Sequence, residues 1–143
     1  MQRDAWYLTL TNKQTLAIAQ QQVVEYLTGV QGHVVPSAHV DCDQVILWRK
    51  QMLPLWGLSQ YRSATLQPVH RHVMVISYLD ESQTARLLAI SLASAPVLVT
   101  VEESDVCNPT DQQKAYWKQA LLSCFQCQGN AVPIVNFAAL EAR

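Results

Sequence analysis

The sequence predicts an all-β protein, built as small barrels or as a sandwich. Three observations lead there. Roughly nine or ten short apolar runs are separated by turn signals about every ten residues, the spacing of barrels and sandwiches. Two proline-centred apolar strands, residues 52–58 (MLPLWGL) and 131–137 (AVPIVNF), lie about eighty residues apart and read as one element used twice. No β-α-β alternation and no glycine-rich phosphate loop occurs, which excludes the common nucleotide-binding folds. A further echo supports the duplication, because Leu16-Ala17-Ile18 recurs as Leu88-Ala89-Ile90, each ahead of its own proline strand. Proline donates nothing to a ladder, so both proline strands are expected at a sheet edge or barrel rim.

The elements follow in order. Residues 6–11 (WYLTLT) and 15–19 (TLAIA), joined through Asn12-Lys13, predict an opening hairpin. Val23-Val24-Glu25-Tyr26-Leu27 reads as a short strand, and residues 29–43, with Gly29, Gly32, Pro36 and Ser37, as the longest loop. Residues 45–48 form the next strand, and a tight turn near Lys50-Gln51 leads to the first proline strand. Residues 60–70 are polar and predict an outer loop. Residues 73–79 and 85–91 make a hairpin across Asp80-Glu81-Ser82-Gln83, and β-branched residues predict one more strand over 97–101. Thr110 with Gln113 has capping-box spacing, which predicts a short helix over 111–118. Residues 121–127, a Gly-Asn turn and the second proline strand close the sheet pattern, and 138–143 finish as a helical turn.

A chain of 143 residues suits one domain spanning 1–143. Half of it is hydrophobic and only 15% is charged, against about 25% in average soluble proteins. So few charges favour apolar contact surface for a partner, including another copy of the chain. The net charge of −1 supplies no basic stripe for nucleic acid. The first residues lack a signal-peptide pattern, and the longest uncharged apolar stretch, 87–101, is shorter than the roughly twenty residues a membrane helix needs. A cytoplasmic protein without direct membrane insertion is expected. Its four cysteines, Cys42, Cys107, Cys124 and Cys127, are then expected as free thiols.

Little in the sequence points to catalysis. Cys124 and Cys127, with His70 and His72, could supply four zinc ligands, but residues three apart on a strand face opposite sides, so no metal site is expected. His33, His39, His70 and His72 lie in or beside predicted loops and are expected exposed. Glu102-Glu103 beside Asp105 reads as a solvated turn. Arg49 stands apart, because it interrupts an apolar run just before a turn. Its charge must either pair within the chain, with Glu25, or face a partner.

Residues 36–58, PSAHVDCDQVILWRKQMLPLWGL, can be laid without gaps on the signature of the CheW-like domain, and the chain resembles that family over nearly its whole length. The likeness continues upstream in Leu16-Ala17-Ile18 and Val23-Val24-Glu25, and downstream in residues 73–76, 87–90 and 131–140. The resemblance implies two intertwined five-stranded SH3-like β-barrel subdomains with a hydrophobic core between them. It also implies no enzymatic activity and no cofactor. The implied role is an adaptor coupling a chemoreceptor's cytoplasmic tip to a CheA-type histidine kinase, in chemotaxis or a type IV pilus sensory system. By resemblance, Arg49 matches the family's signature arginine, Glu25 its Val-x-Glu carboxylate with Val24 beside it, and Pro54 and Leu58 framework positions. The chain departs from the pattern where Gln44, Leu47, Lys50 and Gly57 replace Gly, Asn, Gly and Asp, and where Asn136 replaces a second Asp.

Overall fold

The computed structural model describes residues 2–11, 13–35, 44–56 and 69–141. The chain opens with the hairpin β1 (Gln2–Thr9) and β2 (Thr15–Ala19), then a 3-10 turn, Gln20–Gln22. Next come β3 (Val23–Gln31), the two-residue β4 (His33–Val34), β5 (Gln44–Trp48) and β6 (Gln51–Trp56). The second half holds β7 (Val69–Leu79), β8 (Ala85–Leu92), β9 (Val97–Glu102), α1 (Asp111–Trp117), β10 (Leu121–Cys127), β11 (Asn130–Val135) and α2 (Phe137–Glu141). Leu58 and Gly57 of the first proline strand lie outside the described residues, as do His39 and Cys42.

Among the described residues the strands make two curled sheets. One has the order β10-β11-β2-β1-β9 and the other β3-β7-β8-β6-β5-β4. The second sheet exceeds the expected five strands only by β4, which pairs with β5 through His33 and Val34. The intertwining is explicit in the topology. The first sheet combines β1 and β2 from the first half with β9, β10 and β11 from the second, and the other sheet reverses the exchange.

Each proline strand lies parallel to the Leu-Ala-Ile strand of the opposite half. Leu55, one residue after Pro54, pairs with Ala89, and Ile134, one residue after Pro133, pairs with Ala17. The two copies therefore use the same register. The expectation of an edge position fails, because β6 runs between β5 and β8, and β11 between β10 and β2. The reason is local. In both sheets the parallel pairing starts one residue beyond the proline, so the missing N–H falls where that ladder has not begun.

Three apolar clusters hold the fold. One barrel-like sheet encloses Ile46, Trp48, Leu53, Leu55, Val73, Val75 and Ala89, and the other encloses Ala17, Phe125 and Val132 with Tyr7 and Ile134 packed alongside. The largest cluster lies between the sheets, where Leu8, Leu16 and Ile18 meet Met74, Ile76, Leu88 and Ile90, closed by Trp56, Trp117 and Phe137. Strands β2 and β8 are buried on both faces, which explains why their sequences run apolar without alternation.

The helix α1 starts as the capping box predicted. Gln113 N donates to Thr110 Oγ1 at 3.1 Å, and Thr110 N donates to Gln113 Oε1 at 3.0 Å. It stops at Lys118, whose φ of 53° leaves the helical region. The turn between β7 and β8 is built on Asp80. Its carboxylate accepts from the amides of Ser82 and Thr84 and from Arg86 Nε, and the Arg86 contact leads in holding the Asp80 carboxyl below its ordinary range.

One expectation about histidines is overturned. Strand β7 begins at Val69, so His70 is a strand residue and is 2% exposed. Its ring makes two hydrogen bonds of 2.7 Å, one between Nδ1 and Ser91 Oγ and one between Nε2 and Gln44 Oε1. The Gln44 carbonyl can only accept, which places the proton on Nε2 and leaves Nδ1 to accept from Ser91. His33 and His72 are half-buried.

Candidate functional site

Glu25, Trp48 and Arg49 come together at the mouth of the barrel formed by β3 to β8. Strand β3 carries a bulge, since Val23 pairs with Ile76 while Glu25 pairs with Val75. Val24 is the extra residue. The bulge changes which face the chain presents, so Val23 packs on the central cluster while Glu25 turns to the barrel side, where Leu27 also packs. There the Glu25 carboxylate accepts from two donors through Oε1. Trp48 Nε1 donates at 3.0 Å and Arg49 Nη2 at 3.1 Å.

Trp48 is almost wholly buried, and its indole N–H would lack an acceptor without Glu25. Arg49 folds back over the same indole, with Cζ 4.4 Å from the ring centroid. The guanidinium is thus fixed by a carboxylate and a ring face while 63% of its side chain stays exposed. An ion pair this exposed contributes only about 0.5 kcal/mol to stability. The arrangement orders a charge at the surface more than it strengthens the fold.

Sequence reading left open whether Arg49 pairs internally or faces outward, and the geometry allows both. Val24, about 39% exposed, lies beside Glu25 at the bulge with Tyr26 next along the strand. Tyr26 stacks on His72, with Oη 2.5 Å from Nδ1. Sequence reasoning missed a neighbouring feature. Leu47 and Met52, directly paired across β5 and β6, are 64% and 54% exposed and extend an apolar face outward from the Arg49 turn. The alternation of β5 held the signal, since Ile46 and Trp48 point inward and Leu47 must then point out.

The turn itself is Arg49-Lys50, one residue earlier than expected, with φ of 49° and 65°. Two positive φ values define the hairpin turn that matches strand twist, normally filled by Asn-Gly. The equivalent turn of the second copy is Gln128-Gly129, where the second position is glycine, with φ of 80°. Lys50 therefore carries backbone strain that its counterpart avoids. Lys50→Gly is expected to stabilise the protein by about 1 kcal/mol, read as a higher denaturant midpoint at unchanged slope.

The second barrel offers a different surface. A cavity of about 410 Å³ opens at its mouth, floored by Ala5, Ala17, Phe125 and Ile134 and bordered by Ala19 and Gln21. Among the described residues no group of histidine, cysteine, aspartate and glutamate side chains could hold a metal ion. No helix among them is long and apolar enough to cross a membrane.

No protein-family model matches the sequence, and no curated protein matches it. Among solved structures, the scaffolding protein TtCheW from Thermoanaerobacter tengcongensis superposes with a TM-score of 0.65 at 12% identity, covering 95% of this chain and 90% of that one. The chain therefore has the CheW-like fold of two joined barrels, as its motifs suggested.

Proposed function

We propose that this protein is a non-catalytic adaptor of chemosensory signalling, holding a chemoreceptor tip and a CheA-type histidine kinase together through protein–protein contacts. The observation that carries the reading is the Glu25–Trp48–Arg49 cluster, an ordered but exposed guanidinium beside the outward Leu47–Met52 pair on a CheW-like frame. Fixing a long side chain before binding lowers the entropy lost on association, and arginine beside apolar residues is a common interface pairing. The partner-facing residues are Arg49, Glu25 and Val24, extended by Leu47 and Met52. The setting is cytoplasmic, serving either chemotaxis or a type IV pilus sensory system.

The test is a calorimetric titration against the regulatory domain of a CheA-type kinase from the same cell. Wild type is expected to bind, Arg49→Ala to bind at least about tenfold more weakly with little change in unfolding midpoint, and Leu47→Asp likewise. Glu25→Gln separates the two roles of the carboxylate, because it keeps an acceptor for Trp48 Nε1 and removes the charge that holds Arg49. Failure of wild type to bind any chemosensory component sinks the proposal. A second reading, an accessory module that couples no kinase and associates with itself, is favoured by the exposure of Leu47 and Met52 alone. It predicts concentration-dependent dimers in sedimentation and their loss in Leu47→Asp.

A further inference from the structure

We infer that Cys107 and Cys124 form an oxidation site in which hydrogen peroxide joins the two thiols as a disulfide. The pairing is not the one the sequence draws attention to. Cys124 and Cys127 share strand β10 three residues apart, and Cys127 packs toward the interior of its barrel with Phe125. Cys124 points the other way and meets the segment that follows the 3-10 turn Glu103–Asp105.

The geometry rests on backbone pairing. Val106 and Phe125 form an isolated antiparallel bridge, and in an antiparallel register the next pair outward is Cys107 with Cys124. The amide of Cys107 donates to the carbonyl of Cys124 at 3.0 Å, which confirms that the two residues are directly opposed. Opposed residues carry their side chains on one face with Cβ atoms about 4.5–5.5 Å apart, close to the roughly 3.5–4.5 Å that a disulfide spans. The Cys107 thiol stands near enough to that of Cys124 to bear on its ionisation. Cys107 is half-buried and reachable by a small oxidant, whereas Cys124 is buried and contacts Gln113 Oε1 at 3.8 Å.

Exposure sets the order of events. Cys107 Sγ attacks one peroxide oxygen, the O–O bond breaks, and water leaves, giving a sulfenic acid at Cys107. Cys124 Sγ then attacks Cys107 Sγ, the S–O bond breaks, and the departing hydroxide takes the Cys124 proton to form a second water. Two thiols lose two electrons and two protons to one peroxide. Burial, followed by the neighbouring Cys107, pushes the Cys124 thiol up to about 12, so its thiolate is scarce and the second step is slow. The bond that forms closes the segment containing α1 onto β10, and it withdraws the Cys124 thiol from Gln113, whose side chain also caps α1 and donates to Ala131 O at 2.7 Å.

The test is peptide mapping by mass spectrometry of the folded full chain after incubation with millimolar hydrogen peroxide, with free thiols blocked before digestion. A cross-linked species joining the peptide that contains Cys107 to the one that contains Cys124 is expected, present equally in Cys127→Ser and reversed by dithiothreitol. Fragmentation of the cross-linked species in wild type assigns the bond without any variant at the buried Cys124. Oxidised protein is expected to unfold several degrees above reduced protein. A dominant bond through Cys127 or Cys42, or Cys107 advancing to sulfinic acid with Cys124 still alkylatable after unfolding, overturns the inference.

Discussion

Trp117→Ala is expected to cost about 3–5 kcal/mol, a fifth or more of the roughly 5–15 kcal/mol that holds a domain of this kind together. Trp117 is fully buried at the end of α1, in the cluster between the two sheets. It stacks on Trp56 of β6 at 5.6 Å between ring centroids and receives Tyr116 edge-on at 4.8 Å. Removing the indole opens a cavity at the contact that joins one barrel to the other, and rigid sheets on both sides cannot collapse to fill it. Trp117→Phe is expected to lose far less, about 1 kcal/mol, for a specific reason. The Trp117 Nε1 proton is buried and has no acceptor among the described residues, so the smaller ring also removes an unsatisfied donor. Urea denaturation of the two variants checks both magnitudes. A loss below about 1 kcal/mol in Trp117→Ala means that the central cluster is not a main source of stability.

The repeat was readable in the sequence because it is written in apolar spacing, and the register shows how closely. Pro54 sits opposite Val45 and Pro133 opposite Cys124, and the residue after each proline meets the central alanine of a Leu-Ala-Ile strand. What the spacing could not reveal was which half each sheet draws upon, since pairing Leu55 with Ala89 and Ile134 with Ala17 crosses the halves. The Glu25–Arg49 pair was foreseeable because a charge inside an apolar run needs a partner, and the capping box at Thr110 because its donors and acceptors lie three residues apart. Gln44 and His70 were not foreseeable. Their contact spans 26 positions, and a polar residue at a strand end reads as solvent-facing until its neighbours are known. The turn before the first proline strand was placed one residue late, at Lys50-Gln51, because Arg49-Lys50 contains neither glycine nor asparagine to mark the two positive φ values.

Gly32→Ala is the substitution expected to damage the first barrel most for its size. A Cβ at Gly32 would press into Gln44 Oε1 and stand 3.0 Å from His70 Nε2, so the hydrogen bond that joins them must break. Gln44, His70 and Ser91 are all buried, and each group left unpaired costs about 1–3 kcal/mol. A loss of about 2 kcal/mol or more follows, against the few tenths expected for adding one methyl at an open site. Acid provides an independent check on the same network. Burial lowers the His70 pKa below its ordinary 6.5, so the ring is held neutral in the folded chain. The stability that depends on the neutral ring is complete above about pH 6.5 and is lost as pH falls through the lowered folded value, because the unfolded chain takes up the proton first. Denaturant midpoints measured across that window should fall in wild type and fall less in His70→Leu, after allowing for that variant's lower starting point. The equivalent end of the other barrel sharpens the contrast. There Ala19 stands where Ser91 stands here and Ser123 where Gln44 stands, and the mouth is the 410 Å³ cavity rather than a polar plug. Ser91→Ala removes the donor to His70 Nδ1 and should cost about 1–3 kcal/mol, while Ala19→Ser places a hydroxyl at an open mouth and should cost almost nothing. Equal losses in those two variants would mean that the two barrel ends are equivalent in stability.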